Sequence, residues 1–275
     1  MLTYSTRLEQ ENRYPYQKKN MYFCVQIIKI LATNLQIKFI KSLHLKKNRE
    51  ENKLFLCEGT KIVGELLAQS VFKIKEIYAQ KEWIENNIVN NQYVIEVSPK
   101  QMEQLSTLKT PSEVLAVVCL PKETHIDFSW LTLYLDEIKD PGNLGTIIRT
   151  AEWYGIQNII LSPNCVEWYS PKVVQATMGS IFRVHPHYKK LEALLKEHTF
   201  SNIYGAFLDG ESIYSVPFTE NALLVIGSES HGIHPRNFDF INKKITIPAF
   251  GNAESLNASI ATSIIVDNFK RISIW

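Results

Sequence analysis

The fold of this chain is decided by the stretch Leu131-Thr-Leu-Tyr-Leu-Asp-Glu-Ile-Lys-Asp-Pro-Gly-Asn-Leu-Gly-Thr-Ile-Ile-Arg-Thr-Ala-Glu-Trp-Tyr-Gly155. Apolar residues alternate over 131–135, which predicts a strand. Residues 140–143 have the composition of a tight turn, and the apolar spacing over 144–154 predicts a helix that Gly155 ends. The stretch therefore predicts a strand, a glycine-bearing turn and a helix N-terminus.

This arrangement leaves backbone N–H groups at the helix N-terminus free to meet a ligand. Arg149, about two turns into the helix, can reach toward the same place or across a subunit boundary. Pro, Gly and Asn also occur in turns that only join a strand to a helix. The stretch alone leaves a ligand site and a plain connection equally open.

Length and composition predict a soluble globular protein with one large or two small domains. The chain has 275 residues, of which 45% are hydrophobic, enough for real cores. Residues 1–55 contain eleven Lys or Arg against four Glu, a balance of +7, so the remaining 220 residues carry −5. A basic arm on a mildly acidic body suggests either a polyanionic partner or a solubilising tail.

The cysteines indicate a reduced, cytoplasmic protein. Cys24, Cys57, Cys119 and Cys165 lie far apart and form no C-x-x-C pair. The apolar stretch 21–31 is interrupted by polar residues and is followed by no small-residue cleavage site, which argues against a signal peptide or a membrane span. We assign no fold or function to residues 1–33.

The first half of the chain predicts a small α/β domain. A basic amphipathic helix is expected over 35–47 and a solvated turn over 46–53. Strands and helices then alternate, which is the pattern of an α/β unit. We expect strands at 54–58, 75–78, 93–97 and 114–120, and helices at 61–69, 81–87 and from Ser98-Pro99 to about 105.

A polar, proline-containing linker at 121–129 separates this region from the second half, and the domain boundary is expected near 125. Beyond the opening stretch we expect strands at 156–161, 182–185, 203–208, 222–227 and 244–248, and helices at 171–178, 191–198 and 256–270. The last helix should turn Ile260, Ile264, Ile265 and Phe269 inward.

Three polar loops rich in small residues follow predicted strands, at 140–145, 227–232 and 250–257. Because ligands bind outside the carboxyl ends of the strands in open parallel sheets, the loops should converge on one crevice. Ser255 is expected to cap the last helix, and Asn257 is a poor helix former whose position suggests a polar partner. Glu229 is either a solvated turn residue or a ligand contact.

The spacing of these motifs resembles the SpoU family of RNA ribose 2′-O-methyltransferases in the SPOUT superfamily. The motifs are Asn143-x-Gly145-x-x-x-Arg149-Thr150-Ala151, Gly227-x-Glu229-x-x-Gly232-Ile233 and Ile247-Pro248-x-x-Gly251-x-x-Glu254-Ser255-Leu256-Asn257-x-Ser259-x-Ala261. The region from Gln36 to Lys61 also resembles the start of that family's RNA-binding domain. Ser230 and His231 depart from the glycine that the family often has in its second motif.

The resemblance implies an α/β protein with an RNA substrate-binding domain at 34–122 and a C-terminal, trefoil-knotted, parallel-sheet methyltransferase domain at 126–275. Such an enzyme works as a homodimer and transfers a methyl group from S-adenosylmethionine to a ribose 2′-hydroxyl, most often of ribosomal RNA. The resemblance implies that the loops around Gly227, Ile247 and Leu256 hold the adenosyl group. Glu229, Ser255 and Asn257 would order the pocket, and Asn143 and Arg149 would face the reacting ribose, with Arg149, Asn143 and Glu229 as the catalytic set.

Other interpretations have less support. His185-x-His187 and His231-x-x-His234 have no Cys or carboxylate set to complete a metal site, so we expect no metal. Trp153, Trp168 and Tyr169 could stack on bases but are more typical of a core or an interface. A transfer RNA substrate and a non-catalytic RNA-binding homologue remain open, whereas a nucleotide-binding oxidoreductase lacks its G-x-G-x-x-G motif.

Overall fold

The computed structural model describes residues 32–87, 94–122, 125, 126, 128 and 130–274. Residues 1–31, and with them the apolar stretch 21–31, lie outside the described residues, as do four positions of the predicted linker. None of the helices in the described ranges combines the length and the apolar character that a bilayer crossing requires.

A four-stranded sheet forms the first half. Its elements are α1 (Asn34–Ser42), α2 (Lys46–Asn52), β1 (Leu54–Glu58), α3 (Thr60–Leu67), β2 (Ile74–Ala79), α4 (Lys81–Asn86), β3 (Val94–Glu96), α5 (Pro99–Leu105) and β4 (Val114–Cys119). The strand order is β1-β4-β2-β3. β4 pairs antiparallel with β1 and β2, and β2 pairs parallel with β3. The alternation that the sequence predicts is present.

A six-stranded sheet forms the second half. Its elements are β5 (Leu131–Leu135), α6 (Pro141–Trp153), β6 (Asn158–Leu161), α7 (Pro171–Thr177), β7 (His185–Tyr188), α8 (Leu191–Glu197), β8 (Asn202–Ser212), β9 (Ala222–Ile226), β10 (Lys243–Thr246) and α9 (Ala258–Ile274). The order is β10-β8-β9-β5-β6-β7, and every pairing is parallel. β5 and β9 are buried along their whole length, as expected for central strands covered on both faces.

This strand order creates a crevice between β5 and β9. The chain leaves β5 toward β6 on one side of the sheet, whereas β9 lies on the other side of β5 and is followed by β10 at the far edge. The crevice outside the carboxyl ends of two such strands is the usual ligand position in an open α/β sheet. The loops that follow β5 and β9 therefore meet at the favoured place for a site.

The two sheets share one hydrophobic core. Phe55 and Ile62 of the first half belong to the same buried cluster as Leu133 and Leu144 of the second. The Phe55 ring lies 4.6 Å, centroid to centroid, from the ring of Tyr169. This shared core fixes the orientation of the first sheet relative to the second.

Several sequence-based predictions about elements were wrong. Residues 35–47 are not one helix, because α1 ends at Ser42, and residues 46–53 are not a solvated turn, because α2 spans most of them. Residues 140–143 are not a turn before the helix, since α6 already begins at Pro141. The strand expected at 182–185 is a 3-10 turn followed by β7, a polar edge strand with no apolar signal.

The final helix also differs in detail from the prediction. Ile265 and Phe269 are buried and Ile264 is half-buried, but Ile260 points outward and is 49% exposed. α9 begins at Ala258 rather than near 256, so Ile260 lies in its first turn.

Candidate active site

The site is built around the start of α6. Asp140 is the N-cap, and its side-chain oxygen accepts a hydrogen bond of 2.8 Å from the Asn143 amide. Pro141 occupies the first helical turn, where its missing N–H costs nothing. The backbone N–H of Asn143 is therefore not free for a ligand, contrary to the expectation from the sequence. The Asp140 carboxylate occupies the place at the helix N-terminus where an anion would bind.

A hydrogen-bonded network of three side chains joins the three polar loops. The Asn143 Nδ2 donates to Glu229 Oε1, and the Asn143 Oδ1 accepts from Asn257 Nδ2 at 2.9 Å. Asn143 is buried, with 9% of its surface exposed. The loops predicted to converge do converge, and the side-chain amide of Asn143 links them.

Asn257 has a second task, which the sequence analysis had given to Ser255. Its Oδ1 accepts hydrogen bonds from the Ser259 amide at 3.0 Å, the Ser259 hydroxyl at 2.7 Å and the Ile260 amide at 3.4 Å. Asn257 thus caps α9, and Ser255 does not. Because the Oδ1 must accept from α9, the Nδ2 must face Asn143, which fixes the orientation of the whole network.

The loop after β9 is a closed turn. Ser228 and Gly232 exchange backbone hydrogen bonds of 3.0 and 2.9 Å. A Cβ built on Gly227 would lie 2.0 Å from the carbonyl carbon of Gly232, so only glycine fits there. Gly227 has a structural reason for being glycine, independent of any ligand.

A buried carboxylate anchors the segment that follows this loop. Asp136, directly after β5, accepts 2.8 Å hydrogen bonds from the His234 amide and the Asn237 Nδ2. The neighbouring Glu137 is held by a hydrogen bond from Asn164 and by Arg236, which together keep the pKa of its carboxyl below the ordinary value although partial burial opposes them. These contacts tie the segment after β9 to the end of β5.

A cavity of about 710 Å³ opens beside the network. Its lining includes predicted binding residues of the second and third loops and of the segment that follows β10, namely Gly227, Glu229, Ile247, Ser255 and Leu256. Among the described residues, the first loop, 140–145, contributes none of the lining. Asn257 and Asn143 lie behind this lining and support it. The volume is that of a site for a cofactor-sized molecule.

Two lining residues were missed at the sequence level. Asp209 contributes a carboxylate from β8, and Phe250 extends beside the cavity with 94% of its surface exposed. A signal for Asp209 was available, because it directly follows the predicted strand 203–208 and so stands at a strand's carboxyl side. Phe250 carried no signal beyond its position in a polar loop.

Arg149 is not among the residues that line this cavity. It is exposed on α6, and within the described part of the chain its side chain forms no hydrogen bond or ion pair. The structure of one chain therefore brings together Asn143, Glu229 and Asn257 but leaves Arg149 on the outer surface of α6.

The other candidates have ordinary positions. Trp168 is buried, Tyr169 packs on Phe55, and Trp153 is 79% exposed at the end of α6. Among the described residues no group of three or more His, Cys, Asp or Glu side chains is placed to hold a metal ion.

Comparison with known proteins identifies the family. Residues 130–267, half of the chain, match the model of the SpoU rRNA Methylase family. The chain belongs to the SpoU family. Residues 34–116 of this SpoU protein match a second model, the MRM3-like substrate binding domain.

Individual relatives span nearly the whole SpoU chain. It is 29% identical over 239 residues to the 23S rRNA (guanosine(2553)-2′-O)-methyltransferase RlmP of Bacillus subtilis, covering 86% of this chain and 96% of RlmP. A solved structure described as a candidate RNA methyltransferase of the TrmH family from Porphyromonas gingivalis is 39% identical, with a TM-score of 0.78 and coverage of 88% and 99%. The S-adenosylmethionine-bound rRNA methyltransferase from Sinorhizobium meliloti is 28% identical, with a TM-score of 0.76 and coverage of 88% and 97%.

Proposed function

We propose that this protein transfers a methyl group from S-adenosylmethionine to a ribose 2′-hydroxyl of ribosomal RNA. The observation that carries the proposal is the network of Asn143, Glu229 and Asn257, which joins the three SpoU motifs and reaches a single cavity through Glu229. The named relatives that are rRNA 2′-O-methyltransferases favour ribosomal over transfer RNA.

The cavity suits S-adenosylmethionine. Its lining is mainly apolar, as a purine requires, and includes the carboxylates of Asp209, Glu229 and Glu254. These carboxylates can accept hydrogen bonds from ribose hydroxyls and favour the positive charges of the ammonium and sulfonium groups. Gly227, Ile247 and Leu256 would contact the adenosyl group, while Ser255 and Asn257 keep the last loop in place.

Bound S-adenosylmethionine supplies an electrophilic methyl group, so the protein has to position the ribose oxygen in line with it. The guanidinium of Arg149 stays protonated at ordinary pH, which makes it a poor base. We assign it to binding an RNA phosphate in a bidentate manner and to stabilising negative charge that develops at the 2′-oxygen. The hydroxyl proton leaves to the adjacent phosphate or to water.

Arg149 would reach the cavity of a second copy of the chain. α6 and α9 carry exposed apolar side chains, namely Trp153 at 79% and Ile260 at 49% exposure, and Leu256, just before α9, is 46% exposed. α6 and α9 lie side by side, joined by hydrogen bonds of 2.9 Å from Thr150 to Ser263 and from Tyr154 to Asp267. A homodimer that covers this apolar surface would bring Arg149 toward the partner's cavity.

Residues 34–122 would bind the RNA substrate and residues 126–275 would carry the reaction. The exposed lysines of α1 and α2, at positions 38, 41, 46 and 47, give this first region a positive surface for RNA phosphates. An RNA-modifying enzyme of this kind acts in the cytoplasm, where reduced cysteines persist.

We also infer that the C-terminal part is knotted. β10 lies at the edge of the sheet beside β8, yet α9 returns to α6, and its Asn268 Nδ2 donates to the Ile213 carbonyl at 2.5 Å. Stretching the unfolded chain by its two ends tests this. A knot leaves an extension shorter than the ~3.3–3.6 Å per residue of an open chain, and full extension would contradict it.

The activity is tested with methyl-labelled S-adenosylmethionine and protein-free ribosomal RNA, with a transfer RNA fraction in parallel. A 2′-O-methylated ribose blocks alkaline cleavage of the next phosphodiester, so label in alkali-resistant dinucleotides identifies the modified oxygen. We expect such label in ribosomal RNA. Label in transfer RNA only would show that transfer RNA is the substrate. If the protein bound S-adenosylhomocysteine but labelled neither RNA, it would be a non-catalytic homologue.

A further inference from the structure

Arg183 connects two acidic side chains on separate helices. It follows the 3-10 turn Ser180–Phe182 and pairs through Nε with Glu152 on α6. Its Nη1 donates at 2.8 Å to Glu65 on α3. One guanidinium therefore holds a carboxylate from each half of the chain.

Glu152 is also a neighbour of Arg149. The two residues are three positions apart on α6, a spacing at which oppositely charged side chains pair on a helix surface. The side chain of Glu152 is 28% exposed, so it has room to turn. In the described residues, Glu152 pairs with Arg183 and leaves Arg149 without an ion pair.

The charged and polar groups that shift the pKa of Glu152 favour its ionised form. Burial by itself would raise the pKa of the Glu152 carboxyl, but hydrogen bonds from Arg183 and Ser180 and the charges of Arg183 and Arg149 outweigh it. The pKa is consequently held below the ordinary value. Glu152 is a carboxylate at neutral pH and needs a cation beside it.

We propose that Arg183 is a positioning residue, which holds Glu152 away from Arg149 and so keeps the Arg149 guanidinium free for an RNA phosphate. The inference rests on the proposed function, in which Arg149 binds RNA. Without Arg183, the nearest cation to Glu152 on α6 is Arg149, and an internal ion pair would then compete with the RNA. The unpaired carboxylate would also repel phosphates near the same surface.

The test compares Arg183→Gln, Glu152→Gln, the double variant and Glu65→Gln. We expect Arg183→Gln to raise the KM for RNA roughly threefold to tenfold with little change in kcat, as for loss of one phosphate contact. S-adenosylhomocysteine affinity should stay unchanged. Adding Glu152→Gln to Arg183→Gln should return the KM for RNA to the wild-type value, because the competing carboxylate is gone. Arg183→Lys keeps a cation beside Glu152, so its KM for RNA should stay close to that of the wild type.

Glu65→Gln separates this role from a structural one. This substitution removes the ion pair between Arg183 and α3 but leaves Glu152 paired with Arg183. The KM for RNA should therefore match that of the wild type. The inference would be overturned if the double variant kept the raised KM for RNA of Arg183→Gln. It would also be overturned if Glu65→Gln raised this KM as much as Arg183→Gln does. Wild-type methylation in the same assay tells these results apart from a failure of the proposed function, which would abolish turnover in every variant.

Discussion

At the scale of single residues, the amide of Asn143 decides whether the loops stay together. Its side chain donates to Glu229 and accepts from Asn257, and an ionised carboxylate in its place could only accept. Asn143→Asp has the same shape but turns an acceptor toward the Glu229 carboxylate. We expect S-adenosylhomocysteine affinity to fall roughly tenfold to a hundredfold in isothermal titration, because a charged hydrogen bond becomes a repulsion.

Asn86→Asp is the matched control for this substitution. Asn86 is exposed, and its side chain donates to the Glu82 carbonyl of its own helix at 2.8 Å. Its change to Asp should leave affinity unaltered. If Asn143→Asp bound S-adenosylhomocysteine as tightly as this control, the network would have no part in the cavity.

Gly145 illustrates a motif residue whose reason is packing. A Cβ at this position would lie 2.3 Å from the Cβ of Ala176, so α6 and α7 could not approach as they do. Gly145→Ala should lower the free energy of unfolding by about 1–3 kcal/mol, measured by urea denaturation. Gly64→Ala, in the interior of α3 with no atom within 4 Å of the new Cβ, should instead raise it by about 0.5–1 kcal/mol. Equal effects at the two positions would refute the packing argument.

At the scale of elements, α2 is held in place by a buried charge. Arg49 pairs with Glu167 of the second half, and its Nη1 donates to the carbonyls of Leu43 at 2.7 Å and His44 at 2.8 Å. A guanidinium with these partners completes the end of α1 and attaches α2 to the other sheet. The charged run at 46–53 therefore forms a helix because of long-range contacts.

Arg49→Met should cost about 3 kcal/mol of unfolding free energy, because it leaves Glu167 and two carbonyls without their donor. Lys46→Met on the same helix removes only an exposed 3.6 Å pair with Glu50 and should change the same quantity by less than about 0.5 kcal/mol. Urea denaturation of both variants measures the free energy of unfolding. An equal loss in the two variants would contradict the special role of Arg49, because a Met at either position of α2 would then be equally destabilising.

The elements that sequence could predict are those with local signals. β5, β9 and β4 are apolar runs because they are buried on both faces, and α5 begins with the Ser98-Pro99 cap. β7 was misplaced because it is a polar edge strand with a proline. Of the site, the convergence of the three loops was predicted. The bonds through Asn143 could not be, because they join residues 86 and 114 positions apart. The capping by Asn257 depends on where α9 starts, which the sequence placed two residues too early.

At the scale of the whole molecule, the shared core makes the two sheets one body. Leu133 and Phe55 lie in the same cluster, and the pairs Arg49 with Glu167 and Arg183 with Glu65 cross between the halves. A rigid connection of this kind suits an enzyme that has to select one ribose on a folded RNA. The RNA binding that we propose for the first region would then act through these fixed contacts between the two sheets.

The location of Arg149 is the feature on which the proposed reaction depends. It lies outside the cavity of its own chain, on the same helix as the exposed Trp153. If the active site takes the cavity from one copy and Arg149 from the other, two inactive variants should complement each other in a dimer. Arg149→Lys should be inactive because bidentate phosphate binding is lost, and Glu229→Ala because the cavity wall is broken.

The most direct measurement is methyl transfer to ribosomal RNA by a purified heterodimer of these two variants, obtained by co-expression with different affinity tags. One of its two sites then has both an intact cavity and an intact Arg149, and we predict roughly half of the wild-type rate. Each variant homodimer, assayed alongside, should have almost none. A heterodimer as inactive as its parents, or an Arg149→Lys homodimer that methylates normally, would contradict the account.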